Sequence, residues 1–337
     1  MKVLKFLGLL GVILIVFGLV LWWFFNQPFG TGLISPLGSR LKENLPLKEY
    51  SFEELRKRDY PGSEIKLEEI IKEEEKYTSW LFSYLSDGKK ITGMANIPAP
   101  RNPPAGGVVG VIVMLRGYAD DSVYFTGLGT RKAAGFFAEN GFITLAPDFL
   151  GFGTSDSPSA DILEARFYRP VEVLNLLASV KSLSRADPER VFLWAHSNGG
   201  QIALSVLEIS QRPIPTTLWA PVTKGFPESV LVFMGPPAGG DDLGKKVKKA
   251  IDEFVKKYDS KKYSIDHYFA EITAPIQVHQ GMADPLIPTG WSDDFVDEMK
   301  RLEKKVIYYQ YPGNDHNLKQ SWDKVVERDL MFFQSFL

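Results

Sequence analysis

The rhythm of apolar and polar positions changes three times along this chain. From Phe6 to Phe25 the residues FLGLLGVILIVFGLVLWWFF run for twenty positions without a charge. A helix of about 20 apolar residues spans the hydrocarbon core of a bilayer. The run ends in Trp22, Trp23, Phe24 and Phe25, which resemble an interfacial aromatic belt, and not in the small residues of a cleavage site. The pattern predicts an uncleaved, single-pass transmembrane helix. Lys2, Lys5 and the terminal amine lie closer to it than Arg40 and Lys42. That asymmetry predicts an inside N-terminus, with the rest of the chain membrane-bound and extracytoplasmic.

Residues 26–76 break the pattern. Asn26 to Pro46 holds several Gly and Pro without periodicity and reads as a tether. Ser51 to Lys76 is strongly charged (FEELRKRDY, KLEEIIKEEEK) and is expected to form short helices or a solvated connector. From Tyr77 to Leu337 strands and helices alternate. Tyr77–Tyr84 and Ile91–Ile97, joined through Ser86-Asp87-Gly88, predict a hairpin with an Asp-Gly turn. Val108–Leu115, Phe142–Ala146 and Val191–Ala195 are continuous apolar runs, as in strands covered on both faces. Helical periodicity fills the 130s, Ile162–Leu183 and Gln201–Ile209, and later strands fall at Leu218–Ala220, Ile276–His279 and Val306–Tyr311. The alternation predicts an α/β fold with a mainly parallel sheet flanked by helices.

One stretch, Phe226 to Tyr268, is too long for a plain crossover. Within it Val247, Ala250, Ile251, Phe254, Val255 and Tyr258 recur at helical spacing, with lysines on the other face. It is expected to be a small helical insertion, a lid before the penultimate strand, with Phe254 and Tyr258 as substrate-binding residues.

Composition narrows the function. The 337 residues are 45% hydrophobic and 24% charged, with a formal net charge of -2 and no basic stripe that would draw nucleic acid. The chain has no cysteine, which removes disulfides, thiol nucleophiles and thiolate metal sites. Its four histidines, His196, His267, His279 and His316, include no pair at zinc-helix spacing, so no metal site is expected. Gly127-x-Gly129 and Gly151-x-Gly153 lack the third glycine and the strand-to-helix setting of a dinucleotide site.

The chemistry concentrates in Phe192–Gly200, FLWAHSNGG. A buried strand runs to Ala195, Ser197 occupies a tight turn, and a helix begins near Asn198. Small residues flank the serine at Ala195 and Gly199, a variant of the G-x-S-x-G elbow, where neighbouring backbones approach closely. Such a turn lifts a serine hydroxyl above the sheet edge and aims the Asn198 N–H at a developing oxyanion. Serines also cap helices, but the strand–turn–helix context exceeds what a cap needs.

The chain order of this elbow is serine, acid, histidine. His316 follows the last strand and opens a loop before the final helix, where a base is expected. His279 sits within a strand and reads as a core histidine. His267 falls in the insertion, and His196 adjoins the serine and points elsewhere. Asp284, in the loop after the penultimate strand, is the acid. Asp315 abuts His316 too closely to pair with it, and Asp293 and Asp294 fall at the start of the next helix. The Tyr118 N–H, after Arg116-Gly117, is the second candidate oxyanion donor. Asp148 reads as a structural loop aspartate that bonds backbone amides.

At these residues the chain resembles the catalytic domain of the prolyl oligopeptidase family, within the α/β-hydrolases. The resemblance spans Tyr77 to Leu337. It is carried by Ser86-Asp87-Gly88, Asp187-Pro188-Glu189-Arg190-Val191, Ser197-Asn198-Gly199-Gly200, Pro275, Gly281 to Pro288, and His316. It implies an α/β-hydrolase fold, a Ser197–Asp284–His316 triad, backbone oxyanion donors at Tyr118 and Asn198, and no cofactor. The substrate is then a peptide or a small molecule. Two departures stand out. Ala195 occupies a position where Gly is usual, and the stretch before Tyr77 is too short for the β-propeller of the large peptidases. A peptidase is the first expectation, a carboxylesterase of the dienelactone-hydrolase-like type the alternative, and an inactive envelope binding protein the remote one.

Overall fold

The computed structural model describes residues 45–99, 109–234 and 242–337. The span expected at Phe6–Phe25 and the tether up to residue 44 lie outside the described residues. Among the described residues no helix is long and apolar enough to cross a membrane.

Leu47–Leu337 forms one compact unit around a nine-stranded sheet in the order β1-β2-β3-β5-β4-β6-β7-β8-β9. The strands are β1 (Lys66–Glu73), β2 (Tyr77–Ser86), β3 (Lys89–Pro98), β4 (Val109–Leu115), β5 (Ile143–Pro147), β6 (Ala186–His196), β7 (Thr216–Trp219), β8 (Ile276–Gly281) and β9 (Val306–Tyr311). β1 to β3 pair antiparallel, as β3 does with β5, and every pair from β5 through β9 is parallel. The hairpin turn has Asp87 at φ 50° and Gly88 at φ 80°, the left-handed pair that a two-residue turn between twisted strands requires.

Nine helices occur among the described residues: α1 (Phe52–Lys57), α2 (Arg131–Glu139), α3 (Ile162–Phe167), α4 (Arg169–Ser179), α5 (Asn198–Ser210), α6 (Glu228–Leu231), α7 (Asp242–Phe254), α8 (Thr289–Arg301) and α9 (Trp322–Gln334). The continuous periodicity of Ile162–Leu183 is divided at Tyr168. Pro170 stands in the first turn of α4, where a missing N–H costs nothing, and a new helix starts there.

Both faces of the sheet are covered, and β4 shows how. Val111, Val113 and Leu115 join one core with α4 and α5, while Ile112 and Met114 join the other with α2 and α9. Alternate side chains serve opposite cores, so the strand is apolar throughout.

Of the two expectations for Ser51 to Lys76, the short helix is found at Phe52–Lys57, and the solvated connector is not. Leu47, Tyr50, Phe52, Leu55 and Ile65 are buried in the main core. Ser51 caps α1, its hydroxyl accepting from the Glu54 N–H at 3.4 Å. β1 adds an edge strand whose side chains are almost all exposed. Its glutamates and lysines hid it from a hydropathy reading, because an outermost strand without a covering layer needs no apolar face and charge discourages further pairing.

Candidate active site

The parallel strands end along one edge, and the three expected chemical residues follow three of those ends: Ser197 after β6, Asp284 after β8 and His316 after β9. Ser197 sits at φ 56°, ψ −122°, a conformation that costs a non-glycine residue about 1–3 kcal/mol. Its backbone is held from three sides. The Ser197 N–H donates to the Trp219 carbonyl at 2.9 Å, and its own carbonyl accepts from Gly200 and Val222, each at 2.9 Å. The turn works only with small neighbours. A Cβ on Gly117 would stand 2.9 Å from Ser197 Cβ, and one on Gly200 would meet Pro221.

Asp284 and His316 form a pair, His316 Nδ1–H donating to Asp284 Oδ2 at 2.8 Å. The Asp284 side chain is buried and also accepts from the Leu286 and Ile287 amides at 2.8 and 3.0 Å and from Gln280 Nε2 at 3.2 Å. Burial pushes its carboxyl up, but the bonds from His316, Ile287 and Leu286 outweigh that and hold it below the ordinary carboxylate range. A carboxylate only accepts, so the His316 proton lies on Nδ1 and the Nε2 lone pair is free.

His196 belongs to the same cluster. Its ring lies 4.6 Å from that of His316, and its Nε2–H donates to the His316 carbonyl at 3.0 Å. Burial, then the neighbouring His316, lower its pKa to about 4, so it stays neutral and cannot compete as a base. His279 is fully buried, bonded to Tyr311 Oη at 2.8 Å and to Asp329 Oδ1 at 2.9 Å. His267 is exposed on a 3-10 turn of the insertion. Asp148 is a buried loop aspartate, but it accepts from the hydroxyls of Thr92, Tyr124 and Thr126 at 2.7, 2.6 and 3.0 Å rather than from backbone amides. Among the described residues no three His, Asp or Glu side chains converge as a metal would require.

Beside the elbow opens a cavity of about 310 Å³ whose lining includes Gly117, Tyr118 and Asn198. Asn198 is the first residue of α5, whose leading N–H groups have no partner within the helix. Tyr118 is 80% exposed at the mouth of this cavity. Aromatic rings form much of the wall. Tyr50 and Phe52 come from the N-terminal stretch, Phe149 and Phe152 from the loop after β5, and Phe226 and Tyr263 from the insertion.

Phe254 and Tyr258 do not line the cavity. They stack on each other at 4.6 Å, and Phe254 packs edge-on against Phe226 at 5.4 Å and Tyr263 at 4.9 Å, one layer behind the wall. The apolar stripe of α7 met a core already supplied by Phe167 and residues 47–55, so it buttresses the wall. Tyr50, Phe52 and Leu55 were missed because charge dominated their surroundings. The signal was the capping pattern Ser51-x-x-Glu54 ahead of Leu55. Arg166 and Arg169, also in the wall, were hidden in an ordinary helical run.

An elbow serine, an acid–histidine pair and a mainly parallel sheet that carries all three at one edge define an α/β-hydrolase. The family model described as "Alpha/beta hydrolase family" matches residues 112–330, and the chain belongs to that family. An uncharacterised protein of Mycobacterium tuberculosis is 33% identical over 93 residues, which is 28% of this chain and 23% of that protein's length. Among solved structures, acetyl xylan esterase 1 from Thermoanaerobacterium is similar at TM-score 0.56 and 14% identity, covering 85% of this chain and 93% of that one. The acylaminoacyl peptidase of Pyrococcus horikoshii is similar at TM-score 0.59 and 17% identity, covering 77% of this chain and 42% of that one. The resemblance read from the motifs thus holds, with both esterases and peptidases among the structural neighbours.

Proposed function

We propose that this chain is a serine hydrolase that cleaves an ester or amide bond through an acyl-enzyme on Ser197. The observation that carries the reading is the 2.8 Å bond from His316 Nδ1 to a buried Asp284, which leaves Nε2 as a base at the sheet edge where Ser197 is presented. As Ser197 Oγ bonds to the substrate carbonyl carbon, His316 Nε2 takes the hydroxyl proton, and the carbonyl electron pair moves to oxygen. The Asn198 and Tyr118 N–H groups hold that oxyanion. Its collapse expels the leaving group, which receives the proton from His316. Water then attacks the acyl-enzyme by the same route and frees Ser197.

The resemblance favours a peptidase, and the cavity disfavours one that needs a free amino terminus. Its lining includes Arg116, Arg166 and Arg169 and no Asp or Glu. An aminoacyl group with a free ammonium would meet only like charge there. An esterase, or a peptidase acting on blocked or internal peptide bonds, therefore stands ahead of an aminopeptidase.

A fluorophosphonate probe should label the full-length protein and not Ser197→Ala, whose kcat should fall about 10³-fold or more. Labelling of both proteins alike would refute the assignment. No labelling of either would mark an inactive binding protein. A panel of acyl esters against aminoacyl amides separates the two hydrolase readings.

A further inference from the structure

We infer that the cavity beside Ser197 takes an acyl chain ending in a carboxylate, and that Arg166 is the residue that recognises it. This rests on the acyl-transfer reading above. In that reaction His316 protonates the leaving group, so the leaving group lies on the histidine side. The cavity lining includes neither His316 nor Asp284 but does include Gly117, Tyr118 and Asn198, so it receives the acyl group.

The three arginines of the wall are not equivalent. Arg116 is committed to structure: its Nη1 and Nη2 donate to the carbonyls of Gly117 and Asp148 at 2.9 and 3.0 Å, and its guanidinium lies over the Phe152 ring at 4.1 Å. Arg169 stands beside the Glu172 carboxyl, with Nη1 3.6 Å from Oε1 but no hydrogen bond between them, and its guanidinium lies over the Phe149 ring at 5.0 Å. Arg166 meets no carboxylate among the described residues. Its Nη2 donates to Gln201 Oε1, a neutral amide whose own Nε2 is bonded to Ser229 Oγ at 3.0 Å. Burial, then the nearby Arg169, lower its pKa to about 10, which leaves it charged at neutral pH.

A partly buried guanidinium with only an amide for company is a charge without compensation, and a planar carboxylate matches its paired N–H groups. Arg166 is bonded to Gln201, which follows Asn198 by three residues in α5, and all three line this one cavity. A dicarboxylic half-ester of succinyl or glutaryl size is therefore the acyl group to test. The aromatic rings of the wall cover the methylenes between.

The test compares kcat/KM of the full-length protein for mono-p-nitrophenyl glutarate and for the neutral p-nitrophenyl pentanoate. The anionic ester should be favoured about 10- to 100-fold, the worth of a charge-assisted hydrogen-bonded pair. In Arg166→Gln that ratio should fall to near one, and Arg166→Lys should keep part of it. Calorimetry on Ser197→Ala gives a readout without turnover: monomethyl glutarate should bind measurably tighter than methyl pentanoate, and this decides the matter if Arg166→Gln does not fold. Equal or better use of the neutral ester by the wild type, with Ser197 labelled normally by fluorophosphonate, overturns this inference alone. An unchanged ratio in Arg166→Gln does the same. Absence of both labelling and ester turnover takes down the acyl-transfer reading together with it.

Discussion

Gly199→Ala is a single-methyl perturbation whose cost can be worked from the packing. Gly199 is the second residue of α5, and a Cβ there would run into the Leu115 carbonyl oxygen and stand 2.7 Å from both Leu115 C and Arg116 O. All three atoms are backbone, so no side chain can swing away. An ordinary Cβ contact begins at 3.4 Å, so the head of α5 and the end of β4 must part by roughly 0.7 Å or more. That gap opens between Asn198 on one side and Arg116-Gly117-Tyr118 on the other, the two backbones proposed to share the oxyanion. A displacement approaching 1 Å at a catalytic centre costs about 10²-fold in rate, and overpacking of this kind costs about 1–3 kcal/mol of stability. The assay is the second-order rate of fluorophosphonate labelling of Ser197, paired with urea unfolding. Gly290→Ala is the control, since a Cβ at Gly290 has nothing within 4 Å. Labelling should slow about 100-fold in Gly199→Ala and stay at the wild-type rate in Gly290→Ala. A Gly199→Ala protein that labels at the wild-type rate would refute the claim that this contact sets the oxyanion geometry.

Three further outcomes are expected. Glu172 is fully buried, and burial raises its carboxyl to about 7 from an ordinary 4.5. Between those values the unfolded chain releases the proton while the native state keeps it, so stability should fall by about 3 kcal/mol as pH rises through that window; Glu172→Gln should flatten the slope of urea midpoints between pH 5 and pH 8. Phe254→Ala should lose about 3–5 kcal/mol of stability, and because Phe254 supports Phe226 and Tyr263 it should also change the preference between short and long acyl esters by about 1–3 kcal/mol; wild-type values on both counts would remove it from the wall's support. The full-length protein is proposed to sediment with membranes, with its hydrolase unit digested by protease added to intact spheroplasts; protection until lysis would reverse the proposed orientation.

The site was more legible in the sequence than its surroundings. Ser197 announced itself because an elbow needs a buried strand, small neighbours and a helix start in immediate succession, and all three are local. Asp284 and His316 followed from chain order and from their places in the loops after the last two strands. The cavity was not legible, since its wall is assembled from residues far apart in the chain. Phe254 carried the strongest helical stripe in the insertion, yet hydrophobic spacing reports only that a face is buried, never against what. Tyr50 and Phe52 were masked by charged neighbours for the opposite reason: six-residue α1 buries two side chains and leaves Glu53, Glu54, Arg56 and Lys57 to set the average. β1 was silent because an exposed edge strand has no periodic apolar face to display.

The N-terminal stretch that closes the cavity is held by bonds of very long range. The Tyr263 hydroxyl donates to the Leu47 carbonyl across 216 positions, the Leu47 N–H donates to the Tyr258 hydroxyl across 211, and the Tyr268 hydroxyl donates to Glu53 across 215. Residues 47–57 are among the first of the described residues to be synthesised, yet their partners come near the end. Loop closure on that scale is slow compared with pairing neighbouring strands. The Ser197 backbone, by contrast, is tied by bonds that reach no further than Val222. During translation a nascent chain therefore has the means to form its serine turn well before the cavity has its aromatic side. The proposed acyl cavity is thus complete only when the start of this domain is stitched to its last third.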